Sequence, residues 1–152
     1  MKKVMLCFCL ALAMALSGAA AARSAIAMEL VSISGAKVNM RSGPGKEFSI
    51  RWRLGKGYPL QVLQRKGDWV KVRDFEGDEG WVSKALLGST PHMVVKAKLV
   101  NVRANPSTTA RKVGTVTYGV ALRTIKRERD WVKVRHEDGL TGWVSRRLLW
   151  GW

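Results

Sequence analysis

The sequence predicts an all-β protein, built from two tandem copies of one small barrel or sandwich that follow a segment for export. Three observations predict it. The chain after residue 28 repeats itself at a fixed offset, its apolar residues alternate with a period of two, and no window of helical length outside the first segment keeps a 3.6-residue period.

Residues 1–27 come first. Lys2 and Lys3 precede an unbroken apolar stretch from Val4 to Leu16, and small residues follow, which is the layout of a secretory signal peptide. Two Ala-x-Ala sites are present, Ala20-Ala21-Ala22 before Arg23 and Ala25-Ile26-Ala27 before Met28, and the second is preferred. The competing reading, an uncleaved anchor, is disfavoured because 13 apolar residues are short for a helix that must span about 20. Cys7 and Cys9 sit too early for a lipoprotein site. Both cysteines of the chain lie in this segment, so the remainder must hold itself together by core burial without disulfides.

The rest of the chain lands on itself when shifted by 62 positions. Val38, Asn39 and Arg41 match Val100, Asn101 and Arg103; Asp68-Trp69-Val70-Lys71-Val72-Arg73 recurs from Asp130 to Arg135; Gly80-Trp81-Val82-Ser83 recurs from Gly142 to Ser145. Twenty identities fall in the 50 positions from Val38 to Leu87. A period this long, present twice, indicates two tandem domains rather than a solenoid. The expected division is residues 28–90 and 91–152, joined at Gly88-Ser89-Thr90-Pro91. Each unit is near the lower limit for an autonomous core, so the two are expected to stack or to be only modestly stable alone.

Within a unit, Val70 and Val72 alternate with Trp69, Lys71 and Arg73, the pattern of a half-buried strand. Leu60, Val62 and Gln64 form another alternating run, and Val82 marks a further short strand. Gly67-Asp68 is a tight connection, residues 74–79 form a hairpin loop, and Gly43-Pro44-Gly45 opens a long polar loop. Lys84-Ala85-Leu86-Leu87 suits one turn of 3₁₀ helix. Trp52 aligns with Gly114, and Leu149-Trp150-Gly151-Trp152 breaks the repeat; packing on a barrel end or on the other unit is the favoured role for these tryptophans.

Four motifs in the same order, Val38-Asn39-Met40-Arg41-Ser42-Gly43-Pro44-Gly45, Leu54-Gly55-Lys56-Gly57, Asp68-Trp69-Val70-Lys71-Val72 and Gly80-Trp81-Val82-Ser83, resemble the bacterial SH3 (SH3b) domain pattern. The second unit matches it through Asn101 to Pro106, Trp131 to Val134 and Gly142 to Ser145. The resemblance implies two five-stranded SH3-like barrels, in the usual setting of such domains: exported proteins that bind cell-wall peptide, often beside a hydrolase domain.

The resemblance also implies a shallow groove between the first long loop and the loop before the Trp strand, with Trp69 and Trp131 in it. The period of two agrees, since these residues point away from the core valines; the alternative is that they pack as a rim of the core. The Pro and Tyr that clamp proline-rich ligands in eukaryotic SH3 domains are replaced by Ser83 and Leu86, and by Ser145 and Leu148, so the polyproline clamp is degraded. Arg41 and Arg103 stand in the first loop, where a guanidinium suits a carboxylate but where a bond to a loop carbonyl is the preferred reading. Trp81 and Trp143 are expected to cover the outside of the barrel or the contact between units.

The charge is +16 overall, and residues 28–90 hold 11 basic and 7 acidic side chains against 13 and 4 in residues 91–152. Such a balance favours anionic partners: the peptidoglycan stem peptide, with its several carboxylates, or another anionic envelope polymer. A periplasmic protein partner bound through the grooves or sheet edges is the second reading. Nucleic acid fits the charge but not export. An enzyme is not expected. No Cys follows residue 9, His92 and His136 have no counterparts in the other repeat, Asp68 and Asp130 read as turn residues, and no hydrolase motif appears. No cofactor or metal is expected, and no membrane span after the first segment.

Overall fold

The computed structural model describes residues 28–152, and the expected export segment, residues 1–27, lies outside the described residues. Two separate sheets follow one another along the chain. The first contains β1 (Leu30–Ile33), β2 (Lys37–Arg41), β3 (Ile50–Gly55), β4 (Pro59–Lys66), β5 (Trp69–Arg73), β6 (Glu79–Ser83) and β7 (Leu87–Gly88). The second contains β8 (His92–Val95), β9 (Leu99–Arg103), β10 (Lys112–Thr117), β11 (Ala121–Glu128), β12 (Trp131–Arg135), β13 (Thr141–Ser145) and β14 (Leu149–Gly151). Strand order is β3-β2-β6-β5-β4-β1-β7 in one and β10-β9-β13-β12-β11-β8-β14 in the other. The two orders are the same once the offset is removed. Among the described residues no helix is long and apolar enough to cross a membrane.

Each sheet has seven strand segments where the family resemblance implied five. The additional two, β2 and β3 or β9 and β10, are the arms of the first long loop, which pair with each other along their length. A single turn of 3₁₀ helix, Lys84–Leu86 or Arg146–Leu148, precedes the last strand, as the tail sequence suggests.

The period of two decides which side chains go inside. Val70, Val72 and Val82 join Ile33, Val38, Met40, Leu54 and Leu60 in one buried cluster. Val132, Val134 and Val144 join Met93, Val95, Val100, Val102, Val116, Leu122 and Leu149 in the other. Each sheet therefore wraps its own core. Gly80 and Gly142 let the loop arm close onto the sheet: a Cβ on Gly142 would lie 2.6 Å from the Arg103 carbonyl oxygen and 2.7 Å from Val102 Cγ1, and one on Gly80 would lie 2.9 Å from the Arg41 carbonyl oxygen. At these two positions the strands cross through a single residue pair, Arg41 with Trp81 and Arg103 with Trp143.

The two units touch. The joint is tied down by the Ser32 hydroxyl, which donates to the Thr90 carbonyl at 2.8 Å. The Phe75 ring stands between Tyr58 and Tyr118, with centroid separations of 6.3 and 5.3 Å, and the Tyr118 hydroxyl donates to Glu76 across the boundary. The chain end packs here too: Leu149–Gly151 pairs with β8, the Trp152 amide donates to the His92 carbonyl, and the Trp152 carbonyl accepts the Thr124 hydroxyl at 2.6 Å. Trp52, by contrast, is 52% exposed. Its counterpart Gly114 has Leu140 lying directly over it, where the first unit has Asp78. The second unit thus carries its bulk on the β12–β13 loop, over Gly114, where the first carries it on β3.

Two outcomes are expected from this architecture. Gly142→Ala forces the Arg103 backbone to move and should lower unfolding stability by about 1–3 kcal/mol, measured by chemical denaturation. The Tyr118 hydroxyl is pushed up to about 12, chiefly because it donates a hydrogen bond to the Glu76 carboxylate, and burial raises Tyr58 as well. A raised tyrosine contributes stability that is intact below the ordinary value of 10.0 and is lost as pH rises through the folded value. Tyrosinate absorbance should stay flat through pH 10 and rise toward 12; ionisation at the ordinary value would mean that the contact is not formed in solution.

Candidate functional site

Because the valines face inward, the intervening residues share the outer face, and register sorts them into rows. Trp69 lies opposite Ser83 on one side and Lys66 on the other. Trp131 lies opposite Ser145 and Glu128. The next row runs Arg41, Trp81, Lys71 in the first unit and Arg103, Trp143, Lys133 in the second. The structure thus brings each sequence-predicted tryptophan beside its predicted serine. It places the predicted arginine one row away, against the other tryptophan. Leu86 and Leu148 sit in the 3₁₀ turns; Leu86 is 39% exposed, whereas Leu148 is half-buried against the second core.

The arginines brace the first long loop. Arg41 Nη1 donates to the Lys46 and Phe48 carbonyls at 2.9 and 2.8 Å, and Arg103 Nη1 donates to the Ala110 carbonyl at 2.8 Å. Trp69 and Trp131 are half-buried, with part of each ring open to solvent. Trp143 is 8% exposed and serves packing: its cross-strand neighbours are Arg103 and Lys133, whose aliphatic stems can cover an indole.

In the second unit the outer face carries a shallow depression of about 370 Å³, lined by Pro106 from the first long loop, Glu128 and Arg129 from the turn before β12, and Trp131. Arg129 has φ of 47°, while its counterpart Gly67 has φ of 56°. A residue with a Cβ in this left-handed region carries a cost of about 1–2 kcal/mol that glycine avoids. The two-residue turn demands the conformation, and the second unit meets it with an arginine that lines the depression. In the sequence Arg129 reads only as part of a charge run. The alignment of Arg129 with a turn glycine was the signal that could have singled it out.

The two faces differ in charge as well as shape. In the first unit Glu79 takes Lys71 at 2.8 Å and Arg73 at 2.5 Å, and these bonds, Lys71 first, hold its carboxyl below the usual range. The second unit has Thr141 in place of Glu79, leaving Lys133 and Arg135 without that partner. Outward along the same row, Ile50 and Gln64 of the first unit become Lys112 and Lys126 in the second. Lys126 is paired with Glu128.

Comparison with known proteins fits this geometry. Bacterial SH3 domain models match residues 34–88 and residues 98–149. The chain belongs to the bacterial SH3 domain family. Its two SH3 domains resemble part of the "Putative N-acetylmuramoyl-L-alanine amidase YrvJ" of Bacillus subtilis, at 28% identity over 77% of this chain and 24% of that protein. They also resemble the "Cell wall-binding protein YwsB" of the same organism, at 40% identity over 37% of this chain and 32% of the relative. The chain thus spans about a quarter to a third of the length of these relatives. Among solved structures, an NlpC/P60 family protein from Bacillus cereus aligns over 82% of this chain and 56% of its own, at 16% identity and a TM-score of 0.40.

One acidic cluster lies away from the SH3 groove. Asp74, Glu76 and Asp78 bring carboxylate oxygens within 4.8 Å of one another in the β5–β6 loop of the first SH3 domain. Asp74 has a structural task there: its Oδ1 accepts the Glu76 and Asp78 amides, both at 2.9 Å, and fixes the turn. Burial pushes its carboxyl up, and the two amide bonds oppose that shift.

The strained turn gives a direct test. Arg129→Gly should raise the unfolding stability of the second SH3 domain by about 1 kcal/mol, since glycine adopts the left-handed region freely. A loss of stability in thermal melts would show that the Arg129 side chain makes contacts worth more than the strain.

Proposed function

We propose that this protein is a non-catalytic binding module of the bacterial envelope that recognises cell-wall peptide, with the groove of its second SH3 domain as the principal site. The observation that carries this reading is Arg129, kept in a costly backbone conformation beside Trp131 in a depression on the outer face. An aromatic plate next to a guanidinium suits a short peptide with carboxylates. The chain of the ligand lies on the ring, and the guanidinium binds the carboxylate through parallel hydrogen bonds. Peptidoglycan stem peptides have that chemistry. Ser145, across from Trp131, offers a hydroxyl, and Leu148 adds apolar surface in the adjoining turn, while Arg103 holds the loop wall in shape.

The first SH3 domain repeats the arrangement with Trp69, Ser83, Leu86 and Arg41, but Gly67 stands where the second has Arg129 and Glu79 neutralises two of its cations. It is the weaker site. The family, a cell wall-binding relative and the signal-like composition of residues 1–27 support an envelope location reached by export.

A second reading, a periplasmic adaptor that binds a protein partner, rests on the edge strand β3. It exposes Ile50 and Trp52, and Phe48 just before it, where the second domain has Ala110, Lys112 and Gly114.

Co-sedimentation with purified peptidoglycan decides between them. The protein should pellet with the wall at low salt and be released as salt approaches about 0.5 M, where the screening length falls to roughly 4 Å. Trp131→Ala should reduce the bound fraction more than Trp69→Ala does, with the thermal midpoint little changed. Protein that stays in the supernatant at low salt favours the adaptor, and a large fall in midpoint makes Trp131 a structural residue.

A further inference from the structure

Between the two SH3 domains lies a cleft of about 1080 Å³, larger than the depression at Trp131 and sharing no residue with it. Its first-domain wall includes Ser34, Lys56 and Tyr58, and its second-domain wall includes His92, Arg123 and Arg135. Register explains why cations gather there. His92 lies opposite Arg123, Arg123 lies opposite Arg135, and the row ends at Thr141. The same row in the first domain runs Leu30, Gln61, Arg73 and Glu79, with Arg73 paired to Glu79. Relative to its own repeat, the second domain has gained a histidine and an arginine and lost the carboxylate.

Like charges directly opposite each other on antiparallel strands are destabilising. Among the described residues, Arg123, Arg135 and Lys56 form no ion pair; Arg135 has only a long contact, 3.4 Å, from Nε to the Thr141 hydroxyl. Glu137 is the acidic residue of the lining. Burial pushes the His92 imidazole below its ordinary value against the hydrogen bond to the Thr90 carbonyl, and Arg123 and Lys56 add smaller contributions in the direction of burial. Concave, low-dielectric walls of one sign concentrate counter-ions. A guanidinium fork matches the geometry of carboxylates and phosphates; two sit here on cross-strand partners, and an ammonium lines the same cleft from the other domain.

We propose that the inter-domain cleft is a second binding site, for a small molecule or ligand segment that carries two or more anionic groups, bound by Arg123 and Arg135 on one wall and Lys56 on the other. Its volume, just above the roughly 300–1,000 Å³ usual for ligand pockets, takes a molecule larger than a single inorganic ion. The hydroxyls of Ser34, Tyr58 and Thr90 line it and can position uncharged polar groups. This site stands apart from the Trp131 groove, and it holds whether or not that groove binds cell wall.

The test is titration of the isotope-labelled protein, followed by amide chemical shifts, with citrate as a polycarboxylate probe, inorganic pyrophosphate as a phosphate probe and acetate as a singly charged control. Saturating shifts at Gly119, Val120 and Gly139 with citrate, pyrophosphate or both, and not with acetate, are expected, and the probe that binds identifies the anion class. Arg123→Gln installs the first domain's own residue at that position and should weaken binding roughly tenfold. Thr141→Glu restores the missing carboxylate beside Arg135 and should weaken it as well, while Trp131→Ala should leave it unchanged. Shifts that spread evenly over the surface or centre on Pro106 and Trp131, the absence of saturating shifts with both polyanions, or unchanged affinity in Arg123→Gln and Thr141→Glu, would overturn the proposal.

Discussion

Everything in this molecule depends on the alternation that sends one set of valines inward on β5, β6, β12 and β13. Val70, Val72, Val82, Val132 and Val144 are fully buried, and they sit on strands that no disulfide can reinforce, since the cysteines are Cys7 and Cys9. A unit of about 60 residues is close to the size at which a hydrophobic core barely sustains a fold. Two consequences follow. The strands must close tightly, which is why the glycine facing the loop arm recurs at 80 and 142. The units must also lean on each other, which is why Phe75, Tyr58, Tyr118 and the chain end are packed at their boundary. With the inner face committed to the core, the outer face is free to differ between copies.

The copies have used that freedom with a net gain of positive charge in the second, although Lys66 becomes Glu128 and Lys56 becomes Tyr118. At one place changes compensate in bulk: Trp52 with Asp78 in one domain becomes Gly114 with Leu140 in the other, and the bulk moves from β3 to the loop before β13. Outside, changes accumulate. Gly67 becomes Arg129, Gln61 becomes Arg123, Gln64 becomes Lys126, Ile50 becomes Lys112, and Glu79 becomes Thr141. Each of these raises the positive charge of the second outer face, by gaining a cation or losing an anion. Exposed charges of one sign do not stabilise a small domain; they repel one another. Two of the gained cations line concave surfaces, Arg129 the Trp131 depression and Arg123 the cleft between the domains, and there they can meet a ligand.

Much of this was legible in the residues. The offset of 62 defines two copies, period two assigns Val70 and Trp69 to opposite faces, and the Gly-Asp and Gly77 signals mark the two hairpins that set the register between β4, β5 and β6. That register is local, so the pairing of Trp131 with Ser145 follows from the chain itself. What could not be read this way is long-range. The loop arms do alternate, Val38 with Met40 on β2 and Ile50 with Trp52 and Leu54 on β3, but that pattern does not say that the two arms pair with each other across the long loop. The left-handed backbone at Arg129 is imposed by the turn and is visible only by comparison with Gly67. The inter-domain cleft depends on a handful of contacts between residues far apart in the chain, such as Tyr118 with Glu76 and with Phe75, and no periodicity encodes them.

Those few contacts give the cleft a property that the groove lacks. The Trp131 depression lies within one domain and persists as long as that domain is folded. The cleft exists only while the two domains are docked, because Lys56 and Tyr58 come from one side and Arg123 and Arg135 from the other. A ligand that binds only the docked arrangement stabilises it in proportion to its own affinity and concentration. The reverse also holds: whatever loosens the Tyr118–Glu76 contact weakens the cleft while leaving the groove intact. Repulsion of Lys56 by Arg123 and Arg135 across the cleft pushes the walls apart, and the aromatic contacts and the short linker hold them together. An anion between the walls would remove the repulsion and leave the attractive contacts unopposed, so occupancy and domain docking are two sides of one equilibrium.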